Sequence, residues 1–168
     1  SGCGRVRREA GAAPGRPPIP VVGGVPQLLF NFENYKRLIE IYDSPANSLL
    51  LCQGSFAQMA GADQDNGESI YDMIEYFVKR KRVLYVHFRN VSGTVPKFHE
   101  TFVNKGHVDM YRAMRIYAEN GFEGFFMDDH VPRTIGDTDW GHRAKAYANG
   151  YIQSLIETVT DKSLYGAH

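Results

Sequence analysis

Long hydrophobic runs and an excess of charge of one sign are both missing from this 168-residue sequence. No apolar stretch approaches the ~20 residues that cross a membrane, so we expect no membrane partner. The 19 Lys and Arg residues are balanced by 19 Asp and Glu residues, so the basic surface typical of nucleic-acid-binding proteins is not expected either. A hydrophobic content of 43% is ordinary for one globular domain with a real core.

Cysteine is also scarce. Cys3 lies in a stretch rich in Gly, Pro, Ala and Arg, and Cys52 ends an apolar run, so the two make a poor disulfide pair. The basic N-terminal stretch lacks the apolar core of a signal peptide. These features predict a reducing, cytoplasmic setting.

The chain alternates between short apolar runs and amphipathic segments. Residues 1–16 read as an irregular leader, 17–160 as the folded domain and 161–168 as a tail, with extended loop continuing to about residue 26. Apolar runs at residues 48–52, 83–87 and 124–128 predict buried strands, and residues 89–106 predict a long polar loop. Hydrophobic spacing predicts helices at residues 32–42, 69–79, 109–120 and 141–160. The alternation predicts an α/β fold, with a parallel sheet and helices packed on it.

The same spacing predicts which helix residues face the core. The expected inward residues are Phe32, Tyr35, Leu38, Ile39 and Tyr42 in the first helix, Ile70, Met73, Ile74 and Phe77 in the second, and Met110, Ala113, Met114 and Tyr117 in the third.

Three side chains with metal-binding chemistry fall at the ends of the predicted strands. Cys52 and His87 close the first two, and Asp129 directly follows the third. Taken alone, Cys52 could be a small buried hydrophobe and His87 a hydrogen-bonded core histidine. Because the carboxyl ends of parallel strands converge, we expect all three side chains to meet. A mixed sulfur, nitrogen and oxygen set suits a divalent ion such as Mn, Fe, Co or Zn better than calcium.

Four further residues near these ends are candidates for substrate contact or catalysis. Arg89 and Asn90 follow His87, where a guanidinium and an amide commonly hold carboxylates or sugar hydroxyls; a surface salt bridge is the alternative for Arg89. His99 lies in the long loop, where it could equally be solvated. His130 follows Asp129, and two acids and a histidine in one turn are costly to bury without partners.

Several motifs in this sequence resemble the D-mannonate dehydratase family, over about residues 17–160. They are residues 23–26 (Gly-Gly-Val-Pro), 51–52 (Leu-Cys), 85–91 (Tyr-Val-His-Phe-Arg-Asn-Val), 98–100 (Phe-His-Glu), 108–114 (Val-Asp-Met-Tyr-Arg-Ala-Met), 129–132 (Asp-His-Val-Pro) and 136–143 (Gly-Asp-Thr-Asp-Trp-Gly-His-Arg). Members of the family are (β/α)₈ TIM barrels about twice this length. The resemblance therefore implies a partial TIM barrel, the C-terminal half, with parallel strands and outer helices.

The resemblance also implies a function. Family members dehydrate D-mannonate to 2-keto-3-deoxygluconate in hexuronate (glucuronate) catabolism, using Mn²⁺ or a similar ion such as Fe²⁺, Co²⁺ or Mg²⁺. Three of the four family metal ligands map onto Cys52, His87 and Asp129, and the catalytic histidine maps onto His130. The first ligand, a histidine, has no counterpart, because the corresponding stretch here reads Ala-Pro-Gly-Arg-Pro-Pro at residues 13–18.

Two alternatives to an active dehydratase remain open. A related metal-dependent sugar isomerase or epimerase would share the strand-end ligands, although the motifs around His87 and Asp129 match the dehydratase. An inactive half-barrel fragment is favoured by the missing ligand and the missing strands. Because a half barrel has two open sheet edges, we expect either self-association as a homo-oligomer or pairing with a complementing N-terminal half.

Overall fold

Four parallel strands form the main sheet of the computed structural model, which describes residues 10–12, 17–60 and 69–160. The strands are β1 (Ala10–Ala12), β4 (Asn47–Cys52), β5 (Val83–His87) and β8 (Phe125–Met127), and they lie side by side in chain order. Each neighbouring pair is parallel. An arc of parallel strands in chain order, with helices between them, is part of a (β/α) barrel, so the predicted fold class is confirmed.

Within the described ranges, five helices connect and cover these strands. They are α1 (Phe32–Ile41), α2 (Gln53–Ala60), α3 (Ile70–Lys79), α4 (Met110–Glu119) and α5 (His142–Thr160). The four predicted helices are confirmed to within a residue or two at each end. Ser69 caps α3 in a reciprocal capping box with Asp72, and Asp109 caps α4. None of the helices in the described residues is long and apolar enough to cross a membrane.

The core lies between the sheet and these helices. The predicted inward faces of α3 and α4 are buried as expected, as are Phe32, Tyr35 and Ile39 of α1, and Leu38 is partly buried. Tyr42 is the exception, with 68% of its surface exposed. The reason is local: α1 ends at Ile41 and the backbone of Tyr42 is extended, so the helical spacing no longer governs where its side chain points.

Helix α2 was not predicted from the sequence. It begins directly after Cys52, and most of it is buried on all sides, so it has no polar face to produce an amphipathic pattern. The segment after Cys52, where a loop is expected, is helical through Ala60, and residues 61–68 lie outside the described residues.

Two short antiparallel hairpins also replace predicted loop. Strands β2 (Val21–Val22) and β3 (Val25–Pro26) are joined by Gly23 and Gly24, both with positive φ, as a tight two-residue hairpin turn requires. Strands β6 (Val91–Thr94) and β7 (Lys97–Glu100) lie within the predicted loop of residues 89–106. The strands of both hairpins, two or four residues long, are too short to give a clear alternating pattern.

The predicted irregular leader needs one correction. Strand β1 lies inside residues 1–16 and pairs in parallel with residues 47–49 of β4. Its Ala-Gly-Ala sequence has little intrinsic strand preference, so the pairing depends on the neighbouring strand. Residues 1–9, 13–16 and the predicted tail of 161–168 lie outside the described residues, and the domain boundaries stay a prediction.

The start of α5 is held by the carboxylate of Asp137. It accepts hydrogen bonds from the backbone N–H groups of Arg143 (2.9 Å), Ala144 (3.1 Å) and Thr138 (2.8 Å) and from the hydroxyl of Thr134 (3.1 Å). These hydrogen bonds lower the pKa of Asp137 from its usual 3.8 to about 2, and the bond from the backbone of Arg143 contributes most. The ionised carboxylate therefore anchors the helix after β8.

We expect Asp137→Asn to lower the melting temperature at neutral pH, because the amide keeps only one acceptor oxygen. Since folding lowers the pKa of Asp137 from 3.8 to about 2, the carboxylate stabilises the fold above about pH 4, and this contribution is lost as the pH falls from 4 to 2. Melting curves from pH 7 to pH 3 should show the variant and the unmodified chain converging. Asp139→Asn in the same loop is the control, and a pH-independent difference for Asp137→Asn would contradict the prediction.

Candidate metal centre

The three predicted ligands meet at one rim of the sheet. Cys52 ends β4, His87 ends β5, and the two residues are direct partners in the strand register. Asp129 lies two residues beyond the end of β8. One ligand atom from each side chain lies within 4.8 Å of the other two. The predicted convergence is confirmed, and it follows from the parallel order of the strands.

One carboxylate oxygen is the centre of this cluster. Oδ2 of Asp129 lies 3.5 Å from Nδ1 of His87 and 3.6 Å from Sγ of Cys52. Nε of Arg89 lies 3.2 Å from the same oxygen. A sulfur, a nitrogen and an oxygen donor are therefore packed together beside a buried positive charge.

The thiol of Cys52 is buried and has polar partners. It is fully buried, and it directly precedes α2, whose Ser55 hydroxyl donates a hydrogen bond of 3.2 Å to Sγ. Burial raises the pKa of Cys52, but the hydrogen bond from His87, the charge of Arg89 and the bonds from Ser55 outweigh it, so the net pKa lies below the usual value. These contacts favour the thiolate, the form that binds metal ions.

Two of the three separations between these donor atoms fit a divalent cation, and all three atoms lie within 4.8 Å of one another. Donors bound at roughly 2.0–2.3 Å around a tetrahedral ion lie about 3.3–3.8 Å apart. The separations of 3.5 and 3.6 Å from Asp129 to the other two donors already match that range. A mixed thiolate, imidazole and carboxylate set is typical of sites for borderline transition-metal ions. Cys52, His87 and Asp129 are thus the residues that would hold the ion.

Arg89 does not point toward an open substrate site. It is only 3% exposed, and its guanidinium contacts Glu100, the hydroxyl of Ser55 at 3.4 Å and the carboxylate of Asp129. These ion pairs are buried instead of lying on the surface, and the predicted role of Arg89 in holding a substrate carboxylate stays a prediction. Gly54 makes room for this side chain, since a Cβ at position 54 would overlap Nε, Cγ and Cδ of Arg89.

Asn90 is likewise occupied. Its amide nitrogen donates to the carbonyls of Val103 (3.1 Å) and Val108 (2.8 Å), and its amide oxygen accepts from the N–H groups of Val91 (3.0 Å) and Val108 (3.1 Å). These four bonds use the full capacity of the side chain, which is completely buried. Asn90 fixes the segment before α4 to the residues that follow β5, and its predicted substrate contact stays a prediction.

His99 lies on β7, opposite Ser92 of β6, and its side chain is exposed. The next residue, Glu100, reaches Arg89. Since successive side chains of a strand point to opposite faces, His99 faces away from the cluster. The exposure of His99 is what the solvated alternative expects, and its predicted substrate contact stays a prediction. Its chain neighbour Glu100 is one of the residues that the sequence analysis missed.

His130 stays beside the cluster and remains accessible. Its Nε2 lies 3.5 Å from Oδ1 of Asp129, and about half of its side chain is exposed. Lys145 of α5 supports this turn, donating hydrogen bonds to Asp128 Oδ2 (2.8 Å) and to the carbonyl of Asp129 (3.1 Å). Lys145 was not predicted, because it lies 16 residues beyond Asp129 and has no local motif.

Ligands of three chemical kinds at the ends of successive parallel strands define a (β/α)-barrel protein with a candidate divalent-metal centre. The family model that describes D-mannonate dehydratase (UxuA) matches residues 9–164. The chain belongs to the D-mannonate dehydratase family.

Individual relatives agree with this assignment. The chain is 30% identical over 165 residues to mannonate dehydratase of Lactococcus lactis subsp. lactis strain IL1403, covering 94% of this chain and 44% of that relative. It is 36% identical over 148 residues to mannonate dehydratase of Thermotoga neapolitana, covering 86% and 38%. The crystal structure of mannonate dehydratase from Streptococcus suis serotype 2 superposes with a TM-score of 0.80 at 27% identity, covering 94% and 44%. The chain thus spans less than half the length of these relatives.

We expect Asn90→Ala to destabilise the fold. Removing the amide leaves buried backbone groups of Val91, Val103 and Val108 without partners, which should lower the free energy of unfolding by about 2–4 kcal/mol. Urea denaturation measures this change. Asn104→Ala, at an exposed position of the same segment, is the matched control and should change stability little. A stability equal to that of the control would argue against the structural role of Asn90.

Proposed function

We propose that this chain carries the metal and proton-transfer centre of a dehydratase that converts D-mannonate to 2-keto-3-deoxygluconate in hexuronate catabolism. The observation that carries the proposal is the position of His130, an accessible imidazole directly beside Asp129 of the Cys52, His87 and Asp129 cluster. Membership of the D-mannonate dehydratase family supports the substrate and the reaction. The substrate is accordingly a small sugar acid, and the proposed setting is the cytoplasm.

The reaction breaks two bonds of the sugar acid. The C2–H bond, next to the carboxylate, loses its proton to a base, and the C3–O bond releases hydroxide, which leaves as water once protonated. The resulting enol becomes the 2-keto acid. When bound, a divalent cation neutralises the substrate carboxylate and polarises oxygen. His130 supplies an imidazole beside the cluster, and this is the group that we propose takes up or releases the proton.

The chain's other residues hold this arrangement in place. Cys52, His87 and Asp129 would bind the ion, which we propose to be Mn²⁺, with Fe²⁺, Co²⁺ or Mg²⁺ as alternatives; the thiolate makes Mg²⁺ the least suitable. Lys145 fixes the backbone of Asp129 and thereby the turn that carries His130. The family's first ligand histidine has no counterpart in residues 13–18, so a fourth donor must come from another group.

An exposed aromatic side chain on the sheet supports the proposal that this chain has a partner. Phe125 on the outermost described strand, β8, is 57% exposed and stacks on Tyr85 at a centroid distance of 4.9 Å. In a closed barrel, inward side chains of this kind fill the interior. We therefore propose that a complementing N-terminal half, or further copies of this chain, covers this face.

His130→Asn tests the catalytic proposal. The variant should bind Mn²⁺ as the unmodified chain does but lose turnover of D-mannonate by about 10²- to 10⁴-fold, because it keeps polarity and approximate size while losing the titratable group. The measurements are Mn²⁺ affinity by calorimetry and 2-keto acid formation.

His142→Asn, an exposed histidine at the start of α5, is the control and should keep normal turnover. Normal turnover by His130→Asn would rule out His130 as acid or base. An unmodified chain that binds Mn²⁺ but converts no D-mannonate would favour the inactive half barrel, and turnover of aldoses in place of aldonates would favour an isomerase or epimerase.

A further inference from the structure

Two polar residues beside the metal centre belong neither to the ligand set nor to the proton-transfer step. Ser55 lies in the first turn of α2, and Glu100 ends β7. We infer that Ser55 and Glu100 are positioning residues for the ligands Cys52 and Asp129, and that they act through the guanidinium of Arg89. The inference rests on the proposed function, because it assigns these residues a task only if the cluster binds an ion.

The contacts form one connected network. The guanidinium of Arg89 pairs with Glu100 through Nη1, lies 3.4 Å from the Ser55 hydroxyl through Nη2 and lies 3.2 Å from Asp129 through Nε. The Ser55 hydroxyl in turn donates to Sγ of Cys52 at 3.2 Å. Both candidate ligands are therefore linked to the guanidinium of Arg89. Asp129 contacts it directly, and Cys52 is linked to it through the hydroxyl of Ser55.

Packing leaves this network little freedom. Ser55 is fully buried and Arg89 nearly so. The arginine side chain lies against Gly54, in a space that any Cβ at position 54 would fill. Glu100 reaches Arg89 because the β6–β7 hairpin returns the chain to the residues that follow β5. A guanidinium enclosed in this way can hold its neighbours in one geometry.

The charge balance of the cluster explains why Glu100 would influence metal binding. When an ion is bound, Cys52 is a thiolate and Asp129 a carboxylate, so with Glu100 the cluster carries three negative charges around the single positive charge of Arg89. A divalent cation balances that set. Loss of the Glu100 charge would leave Arg89 and the metal ion with one counter-charge too few, which disfavours metal binding.

A simpler role for the same contacts is to hold the hairpin onto the sheet. In that case Glu100 and Ser55 would stabilise the fold without influencing the ligands. The two roles predict different results, because only the positioning role changes metal affinity and the electronic environment of the bound thiolate. Partners that orient metal ligands typically contribute 10- to 100-fold to affinity.

Cobalt binding to the full chain distinguishes them. Co²⁺ bound by a thiolate gives a charge-transfer absorption band, which reports directly on Cys52. We expect Glu100→Gln and Ser55→Ala to weaken Co²⁺ binding by about 10- to 100-fold and to alter this band, with melting temperatures of the metal-free proteins close to that of the unmodified chain. Glu157→Gln and Ser154→Ala, at exposed positions of α5, are the matched controls and should bind Co²⁺ normally.

Two other outcomes would overturn the inference, and they can be told apart. If both variants keep the original affinity and band and only their melting temperatures fall, the network is merely structural and the proposed metal centre stands. If the unmodified chain gives no thiolate-to-cobalt band, the proposed metal centre fails and the inference fails with it. Should Glu100→Gln unfold, Ser55→Ala decides alone, since it removes a single hydroxyl group.

Discussion

The buried guanidinium of Arg89 is the contact on which the arrangement of this rim depends. Arg89 itself lies just after β5. Its guanidinium contacts Ser55 of α2, Asp129 in the loop after β8 and Glu100 of the β6–β7 hairpin. A thiol and a carboxylate placed side by side in a buried site would repel each other once ionised, and the cost of burying unpaired charge is large. A fixed cation beside them removes much of that cost, so the ligands stay together before any ion binds.

The parallel register of the strands explains why the ligand set was predictable. Hydrophobic runs reveal buried strands, and strands that alternate with helices are parallel, so residues at their carboxyl ends must meet. Cys52, His87 and Asp129 were found by that argument alone. The helices were predictable for a similar reason, because α3 and α4 each have one apolar face. Helix α2 lacks such a face, and the β6–β7 hairpin is short and polar, so neither produced a recognisable pattern.

The roles of the neighbouring residues were harder to predict, because they depend on which way a side chain turns. Arg89 and Asn90 lie two and three residues after His87, yet most partners of their side chains are interior groups that lie 11 or more positions away in the chain. His99 and Glu100 are adjacent, but strand alternation directs only Glu100 toward the cluster. Sequence position identified the neighbourhood of the site, and tertiary contacts decided which residues take part.

Ligands drawn from three separate strand ends also couple the chemistry to the fold. An ion held by Cys52, His87 and Asp129 would link β4, β5 and the loop after β8, so binding would favour the folded sheet over the unfolded chain. The same sheet exposes Phe125 on its outermost described strand, where covering by further barrel strands would add apolar burial. Metal binding and covering of this face would thus stabilise the same four-stranded arc. The geometry of the candidate metal centre and the stability of the sheet are, for that reason, linked.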